Sequence, residues 1–554
     1  MTTRDRTKIT TIRNQTTELE NHVIDEFLTG KIGRRAFLRQ GSVIGLSLSF
    51  MSGLLAATGA PLLTKPAAAA TPGGTVRVGV MVPSGAIDPV LVQDTGGGVM
   101  ISQSGEFLVI SDSSLVIQPM LAESWSPNSD GSVWTFKLRK DVKFQDGQMM
   151  KADDVVASID RLTDPANSSN ALSVFKGVLS KGGSKKVDDY TVEFHLDAPN
   201  GNFPYTVSND NYNAIILPAS YTGDYEKSFI GTGPFKIEKY TPKVGASFVR
   251  NEQYWGTKAL PDRLEFTFYG EMQPMILGMQ GHQLDVITEI SVQGGQAIVN
   301  DPGITIMSLK SSAHNQVHMN TQTGVFADKR VRRALALVLD REKLVKGLLH
   351  GRGSIGNDSP FAPVFPSTNT SVPQRKRNLS EAKQLLEAAG ASKGFSVTLV
   401  TEKYQEIPDY AVIIQNAARE LDIKIDLKVE TAGAYYGKAV FGQSDWLDST
   451  IGITDYAHRG VPNVFLSAPL HSNGTWNSAH FSNKDYDALV AQYVAALDLQ
   501  TQRDVAGKIQ NLLLDETPVI FAYFYDFLTP VVKNLKGVKP SAMGNIDLSA
   551  ASFA

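Results

Sequence analysis

The sequence predicts an α/β protein in two parts: a strand-rich first part, then a second part in which helices and strands alternate. Two observations lead there. Before about residue 328, short runs with period-two alternation and turn signals dominate, as in 75–82 (Val76, Val78, Val80), 133–138 and 190–196. From Asp328 onward, apolar residues recur at three- and four-residue spacing, and helical segments precede strands. With 554 residues, 42% hydrophobic and 20% charged, the chain can bury the cores of two to four folded units, which excludes a largely disordered protein.

The N-terminus reads as a targeting segment. Arg34-Arg35-Ala36-Phe37-Leu38-Arg39 precedes an uncharged stretch over 41–63. A membrane span needs about 20 apolar residues. This stretch is long enough but is diluted by four glycines, four serines and Pro61, which argues against an anchor. The run Pro66-Ala67-Ala68-Ala69-Ala70 then offers small-residue cleavage sites, so the first 70 residues are expected to be removed near Ala70 and to contribute nothing to the fold. Arg34-Arg35 ahead of a weakly hydrophobic core resembles a twin-arginine (Tat) export signal. Nine of the 53 basic and five of the 56 acidic residues lie in this segment, which leaves 44 against 51 and a net charge of -7. That balance disfavours nucleic acid or anionic lipid as a partner and suits a soluble periplasmic protein. The absence of cysteine excludes disulfides, thiolate metal sites, thiol catalysis and a lipidated cysteine anchor.

In the first part, Asp130-Gly131 and Asp146-Gly147 are turn dipeptides that close successive hairpins, and Asp153 can cap the helix carrying Val155, Val156 and Ile159. Gly231-Thr232-Gly233 permits a tight backbone bend before a strand. In the second part, Asp328 caps a helix with apolar positions from Val331 to Leu349. The segments 380–389 and 411–421 read as helices preceding strands at 395–400 and 423–429. One or two long helices fill 486–514, and 519–524 is a buried strand. The tail after Lys533 is too small to fold alone.

These segments carry motifs in a known order. Leu121-Ala122-Glu123-Ser124-Trp125, Asp130-Gly131, Trp134-Thr135-Phe136 and Ala152-Asp153-Asp154-Val155 are followed by Gly231-Thr232-Gly233-Pro234-Phe235 and by Arg250-Asn251 with Tyr254-Trp255. Then come Asp328-Lys329-Arg330-Val331-Arg332-Arg333-Ala334-Leu335, the stretch from Ala382 to Gly390, and Asp485-Tyr486-Asp487-Ala488-Leu489. Over essentially all of 75–535 the chain resembles the extracellular solute-binding proteins of the oligopeptide/dipeptide/nickel family (family 5). The resemblance implies a two-lobed periplasmic-binding-protein (clamp) fold with a large mixed first lobe and an α/β second lobe. Its crossings map near 268–270 and 519–525. Lobe I is then 71–268 completed by 525–554, and lobe II is 269–524, behind a signal over 1–70.

The resemblance also names ligand residues. Peptide-binding members carry a motif like WxxDYxxPxxFL whose Asp pairs with the ligand's α-ammonium. Here the stretch from Gly452 to Leu466 keeps Asp455-Tyr456 and Pro462-Asn463-Val464-Phe465-Leu466, with Gly452 in place of Trp and Pro462 three residues late. Two readings of Asp455 stand: it holds a ligand ammonium, or it pairs with Arg459 or caps a turn. Arg459 is a candidate for a ligand carboxylate, and Trp446, Tyr435 and Tyr436 are candidate walls of the cleft or core aromatics.

Enzymatic readings fail on context. Gly390-Ala391-Ser392-Lys393-Gly394 follows a helix and precedes a strand, the reverse of a nucleophile elbow. Gly351-Arg352-Gly353-Ser354-Ile355-Gly356 exits a helix and is followed by Pro360 and Pro363, so no dinucleotide site is expected. His314 and His318 lack the Glu of H-E-x-x-H and read as surface histidines, not zinc ligands. No cofactor and no metal are expected, and no phosphate loop is present, so ATP hydrolysis belongs to partners. The resemblance implies the monomeric periplasmic substrate-binding protein of an ABC importer, exported by the Tat translocon and presenting a short peptide or related amino-bearing solute to the permease. A nickel chelate, an opine or an oligosaccharide as ligand, or a periplasmic receptor or chaperone role without transport, are the alternatives.

Overall fold

The computed structural model describes residues 16–58, 72–223 and 225–554. The first lobe is built on a seven-stranded sheet with the spatial order Ile304–Leu309, Phe527–Val532, Val286–Ile287, Thr75–Met81, Arg263–Tyr269, Gly245–Arg250 and Phe235–Thr241. Thr75–Met81 is central and buries Val76, Val78 and Val80; it runs parallel to Arg263–Tyr269, with Val78 opposite Phe266. Burial on both faces is what a central parallel strand requires.

Beside this sheet stands an antiparallel meander of Ala122–Pro127, Val133–Leu138, Thr191–His195 and Ser184–Asp188. Its inward side chains Trp134, Phe136 and Phe194 pack with Phe203 at ring separations of 5.1–6.3 Å. Asp130-Gly131 does close the first hairpin, with Gly131 at φ +75°. The helix Ala152–Thr163 starts one residue before Asp153, and it is Asp154, not Asp153, whose carboxylate accepts from the Lys151 backbone N–H at the N-terminus. Gly231 and Gly233 lie against the backbone at Ser104, where a Cβ on Gly231 would come 2.0 Å from the Ser104 carbonyl oxygen, so these glycines serve close packing.

The second lobe carries a five-stranded sheet ordered Ile423–Glu430, Phe395–Glu402, Ile451–Tyr456, His314–Met319 and Val519–Ile520. The first three strands are mutually parallel, and His314–Met319 is antiparallel to its neighbours. Helices Leu379–Ala388 and Ile407–Ala418 precede their strands in the expected alternation. The apolar run from Val331 to Leu349 forms two helices, Lys329–Leu337 and Arg341–Leu348, because Asp340 takes the Lys343 N–H and opens a second N-terminus after Asp328 has capped the first. The run 519–524 is likewise split, between Val519–Ile520 and Tyr523–Tyr525.

Strand membership sets the crossings later than the motif positions imply. Val286–Ile287 and Ile304–Leu309 both belong to the first sheet, so the chain leaves it between Leu309 and His314 and returns at Asp526. Two-residue strands such as Val286–Ile287 carry no readable alternation. The tail after Lys533 forms two small antiparallel pairs and buries Leu535, Val538, Ile546 and Leu548 in the first lobe's core.

The N-terminal segment departs from expectation, because it is folded. Helices Glu18–Leu28, Arg34–Val43 and Leu48–Ala57 gather Val23, Ile24, Phe37, Ile44, Met51 and Leu55 into a core that also takes in Leu499. Arg39 donates 2.9 Å to Tyr205 Oη on the first lobe and 2.6 Å to the Gly460 carbonyl on the second. Trp125 Nε1 donates 2.8 Å to the Val43 carbonyl. The helix Arg34–Val43 is buried almost all round, with Ala36, Phe37 and every residue from Arg39 to Val43 covered. The expected cleavage site near Ala70 lies outside the described residues. Among those residues no helix is long and apolar enough to cross a membrane.

Candidate functional site

Open parallel sheets bind ligands in the crevice beyond the carboxyl ends of their strands. Here the strands Phe395–Glu402 and Ile451–Tyr456 end at such a crevice, which lies between the lobes. It holds a cavity of about 420 Å³, lined from the first lobe by Asp94, Asn170, Asp210 and Tyr212 and from the second by Tyr404, Tyr436, Trp446, Asp455, Tyr456 and Arg459. Small-molecule sites usually enclose about 300–1,000 Å³.

Five of the six candidate residues therefore meet at one cavity. Asp455 stands opposite Asn315 in the sheet, and its Oδ1 accepts a 2.6 Å hydrogen bond from Tyr525 Oη. Burial drives its carboxyl well above the usual carboxylate range; the Tyr525 bond opposes this, and the nearby Glu402, Glu406 and Glu289 push it further. No basic side chain among the described residues comes within ion-pair distance of it, so the pairing of Asp455 with Arg459 is not formed. The Arg459 guanidinium donates only to the His458 carbonyl (2.8 Å), and its Nε has no partner. The loop carrying it is pinned by Ser312, whose N–H donates 3.0 Å to His458 Nδ1 and whose Oγ accepts from the Arg459 N–H at 3.0 Å. Burial holds the His458 pKa down to about 3, which keeps the ring a neutral acceptor.

The aromatic wall is formed by Tyr436 and Trp446, whose rings lie 5.3 Å apart and edge-on, and by Tyr456, which packs between Phe465 and Trp476. Tyr435 stands behind this wall: it is fully buried, and its hydroxyl donates 2.9 Å to the Ile453 carbonyl. On the opposite lobe, Asp210 is buried with no hydrogen bond to its Oδ2; burial pushes its pKa up to about 7 although Arg39 and Arg459 draw it down. Asp210, Tyr212, Tyr404, Trp476, Glu402 and Tyr525 were not legible as site residues. Glu402 alone had a signal, since it ends a strand preceding a helix.

His314 and His318 correct the sequence reading, because both are completely buried. They belong to the interior strand His314–Met319, and burial lowers their pKa values to about 4 and about 3. A Cβ on Gly452 would lie 2.5 Å from His318 Cε1, so the imidazole fills the space beside the residue that replaces the motif's Trp. Among the described residues no group of three or more His, Asp or Glu side chains is arranged to hold a metal ion.

Known proteins resemble this chain in sequence and in fold. Residues 116–466, well over half of the chain, match the family model described as bacterial extracellular solute-binding proteins, family 5 Middle. The chain is 25% identical over 477 residues to the dipeptide-binding protein DppE of Bacillus subtilis, covering 78% of this chain and 83% of that protein. It is 26% identical over 458 residues to heme-binding protein A of Haemophilus influenzae, covering 77% and 82%. The solved structure of the periplasmic binding protein DppA from Helicobacter pylori in complex with the peptide STSA superposes with a TM-score of 0.72 at 22% identity, over 87% of this chain and 98% of that one.

Proposed function

Because the chain belongs to the bacterial extracellular solute-binding proteins of family 5, we propose that it captures a short peptide or a related amino-bearing solute between its lobes for an ABC importer. The observation that carries this reading is Asp455, a carboxylate on the cavity wall with a neutral hydrogen-bond donor and no ion pair. An uncompensated carboxylate in a closing cleft is stabilised by a cation that arrives with the ligand, because stranding a buried charge costs several kcal/mol. The ligand's α-ammonium is that cation. Arg459, with a free Nε on the same wall, takes the ligand's carboxylate. Tyr436, Trp446 and Tyr456 supply apolar wall, and Tyr435 supports them from behind.

Binding drives closure only to the extent that the ligand prefers the closed lobes. In the open form it meets one lobe; closure adds the other and presents a single surface to the permease, whose ATPase subunits supply the energy. Delivery starts outside the cytoplasm, where this family works. Export runs through the Tat translocon on the Arg34-Arg35 pair, with cleavage near Ala70 releasing the protein into the periplasm. A chain with Lys at both positions would remain in the cytoplasm under this reading.

The test is a thermal-shift screen of protein refolded from denaturant, to remove carried-over ligand, against short peptides, opines, oligosaccharides and nickel chelates. A ligand at 100 times its dissociation constant adds about 2.7 kcal/mol of stability. Asp455→Ala is expected to abolish the shift given by the best peptide. A shift of undiminished size would overturn the ammonium anchor, and shifts given only by a non-peptide solute would overturn the peptide reading.

A further inference from the structure

Behind the wall that Asp455 and Tyr436 give the cavity lie more carboxylates than one ammonium can answer. Glu402 ends the strand Phe395–Glu402, Glu406 precedes the helix Ile407–Ala418, and Glu289 follows the short strand Val286–Ile287 of the first lobe. Glu402 and Glu406 are 5% and 2% exposed. Their side-chain partners are neutral: Tyr436 Oη donates 2.5 Å to Glu402 Oε1, and Asn315 Nδ2 donates 3.1 Å to Glu406 Oε1. The main charges that act on Glu289, Glu406 and Asp455 come from one another and from further carboxylates, and the one basic group coupled to Asp455 is the more distant Arg459.

A second observation is independent of the charges. Asn315 is 1% exposed, and its Oδ1 accepts no hydrogen bond. Its Nδ2 is fixed on Glu406 and, at 2.7 Å, on Tyr523 Oη. Its position opposite Asp455 on the antiparallel ladder sends both side chains from the same face of the sheet. The bare amide oxygen is therefore on the same face as Asp455, on a residue tied to Glu406, among carboxylates whose donors are all neutral. A buried acceptor left unsatisfied is destabilising. What the site lacks is a group with several N–H bonds and positive charge.

We propose that the ligand brings a second cationic nitrogen beside its α-ammonium and that Glu402, Glu406, Glu289 and the Asn315 amide receive it. For a peptide, this makes the first residue lysine, ornithine or arginine. The proposal rests on Asp455 as the ammonium anchor, and it adds a side-chain subsite that selects for charge. Among the described residues these carboxylates form no group arranged to hold a metal ion. Glu289 belongs to the first lobe's sheet strand region and the others to the second lobe, so a cation among them also draws the lobes together.

The experiment is calorimetric titration of the refolded full chain with Lys-Ala, Ala-Lys, Ala-Ala and cadaverine. Lys-Ala is expected to bind at least about tenfold tighter than Ala-Ala and Ala-Lys, a difference of about 1.4 kcal/mol. Glu406→Gln should shrink that ratio to about threefold or less. Should Glu406→Gln not fold by circular dichroism, Glu289→Gln, at a more exposed position, gives the same readout. Equal affinities for Lys-Ala and Ala-Ala overturn the second subsite and leave the peptide reading intact. Binding of cadaverine with no dipeptide bound supports the dicationic site and overturns the peptide reading. Binding of none of the four overturns both.

Discussion

Tyr525 Oη donates a 2.6 Å hydrogen bond to Asp455 Oδ1. The bond joins the middle of the second lobe's sheet to the residue just before Asp526, where the chain returns to the first lobe. It thus couples the orientation of the ligand anchor to the crossing segment. Hydrogen bonds to charged groups contribute about 1.5–3 kcal/mol. Tyr525→Phe keeps the ring and removes the donor, so peptide affinity should fall by about tenfold or more. Calorimetric titration checks this; an unchanged dissociation constant would show that Asp455 is oriented by its strand alone.

Ligand binding should also depend on pH, in a direction set by the acids around the anchor. The groups that face Asp455 are Glu289, Glu402 and Glu406, with Asp409, Tyr404, Tyr436, Tyr523 and Tyr525 around them and Arg459 further along the same wall. Burial raises all four carboxyl pKa values, that of Glu289 to about 7. In the empty protein burial lets Glu289 hold its proton up to about pH 7 and favours the protonated form of the other three, whereas a bound cation favours the ionised form, so binding releases protons and strengthens as pH rises. Between pH 5.5 and 7 the peptide's own α-ammonium, with a pKa of about 7.7–8.0, stays charged. Affinity for Lys-Ala should therefore rise several-fold over that interval, more steeply than for Ala-Ala. A flat profile for both would place the protons elsewhere.

The two sheets were largely legible because their strands carry long alternating or continuous apolar runs, as Thr75–Met81 and Phe395–Glu402 do. The crossings were not, since the deciding strands are as short as the two residues of Val286–Ile287. Asp455 could be picked out because it stands inside a motif. The carboxylates behind it could not: Glu289, Glu402 and Glu406 are scattered over more than a hundred residues and converge only when the strands pair. His314 and His318 misled for a related reason. Polar residues in a central strand look exposed until both faces of the sheet are covered.

That covering explains how the chain departs from its family's motif at Gly452. The His318 ring occupies the space a side chain there would need, with a Cβ contact of only 2.5 Å. Overpacking a close-packed interior is destabilising by about 1–3 kcal/mol. Gly452→Ala should lower the melting temperature, and adding His318→Ala should recover part of the loss, a coupling that a double-mutant cycle measures. Additive losses in the cycle would mean that the backbone at Gly452, and not the imidazole, sets the limit.

Arg39 holds the N-terminal helices to both lobes at once. Its guanidinium donates to Tyr205 Oη and to the Gly460 carbonyl, and lies 5.3 Å from the Tyr205 ring centre and 5.8 Å from that of Phe365. Around it, Gln40 Nε2 donates 2.7 Å to the Leu497 carbonyl, and Ser42 Oγ accepts from the Ile117 N–H at 2.9 Å. The segment's own core is small, so these few contacts decide whether it stays docked. Arg39→Met keeps the apolar stem and removes the charge and its donors, a loss of about 1.5–3 kcal/mol for each strong bond. Docking is a local equilibrium, so the loss should appear as opening of this segment while the two lobes stay folded. Brief trypsin digestion reads it directly: cleavage at exposed Arg35 should become about tenfold faster or more in Arg39→Met, while the melting of the two lobes is unchanged. Equal cleavage rates in the variant and the parent chain would mean that the helices hold on through Leu499 and Trp125 without Arg39.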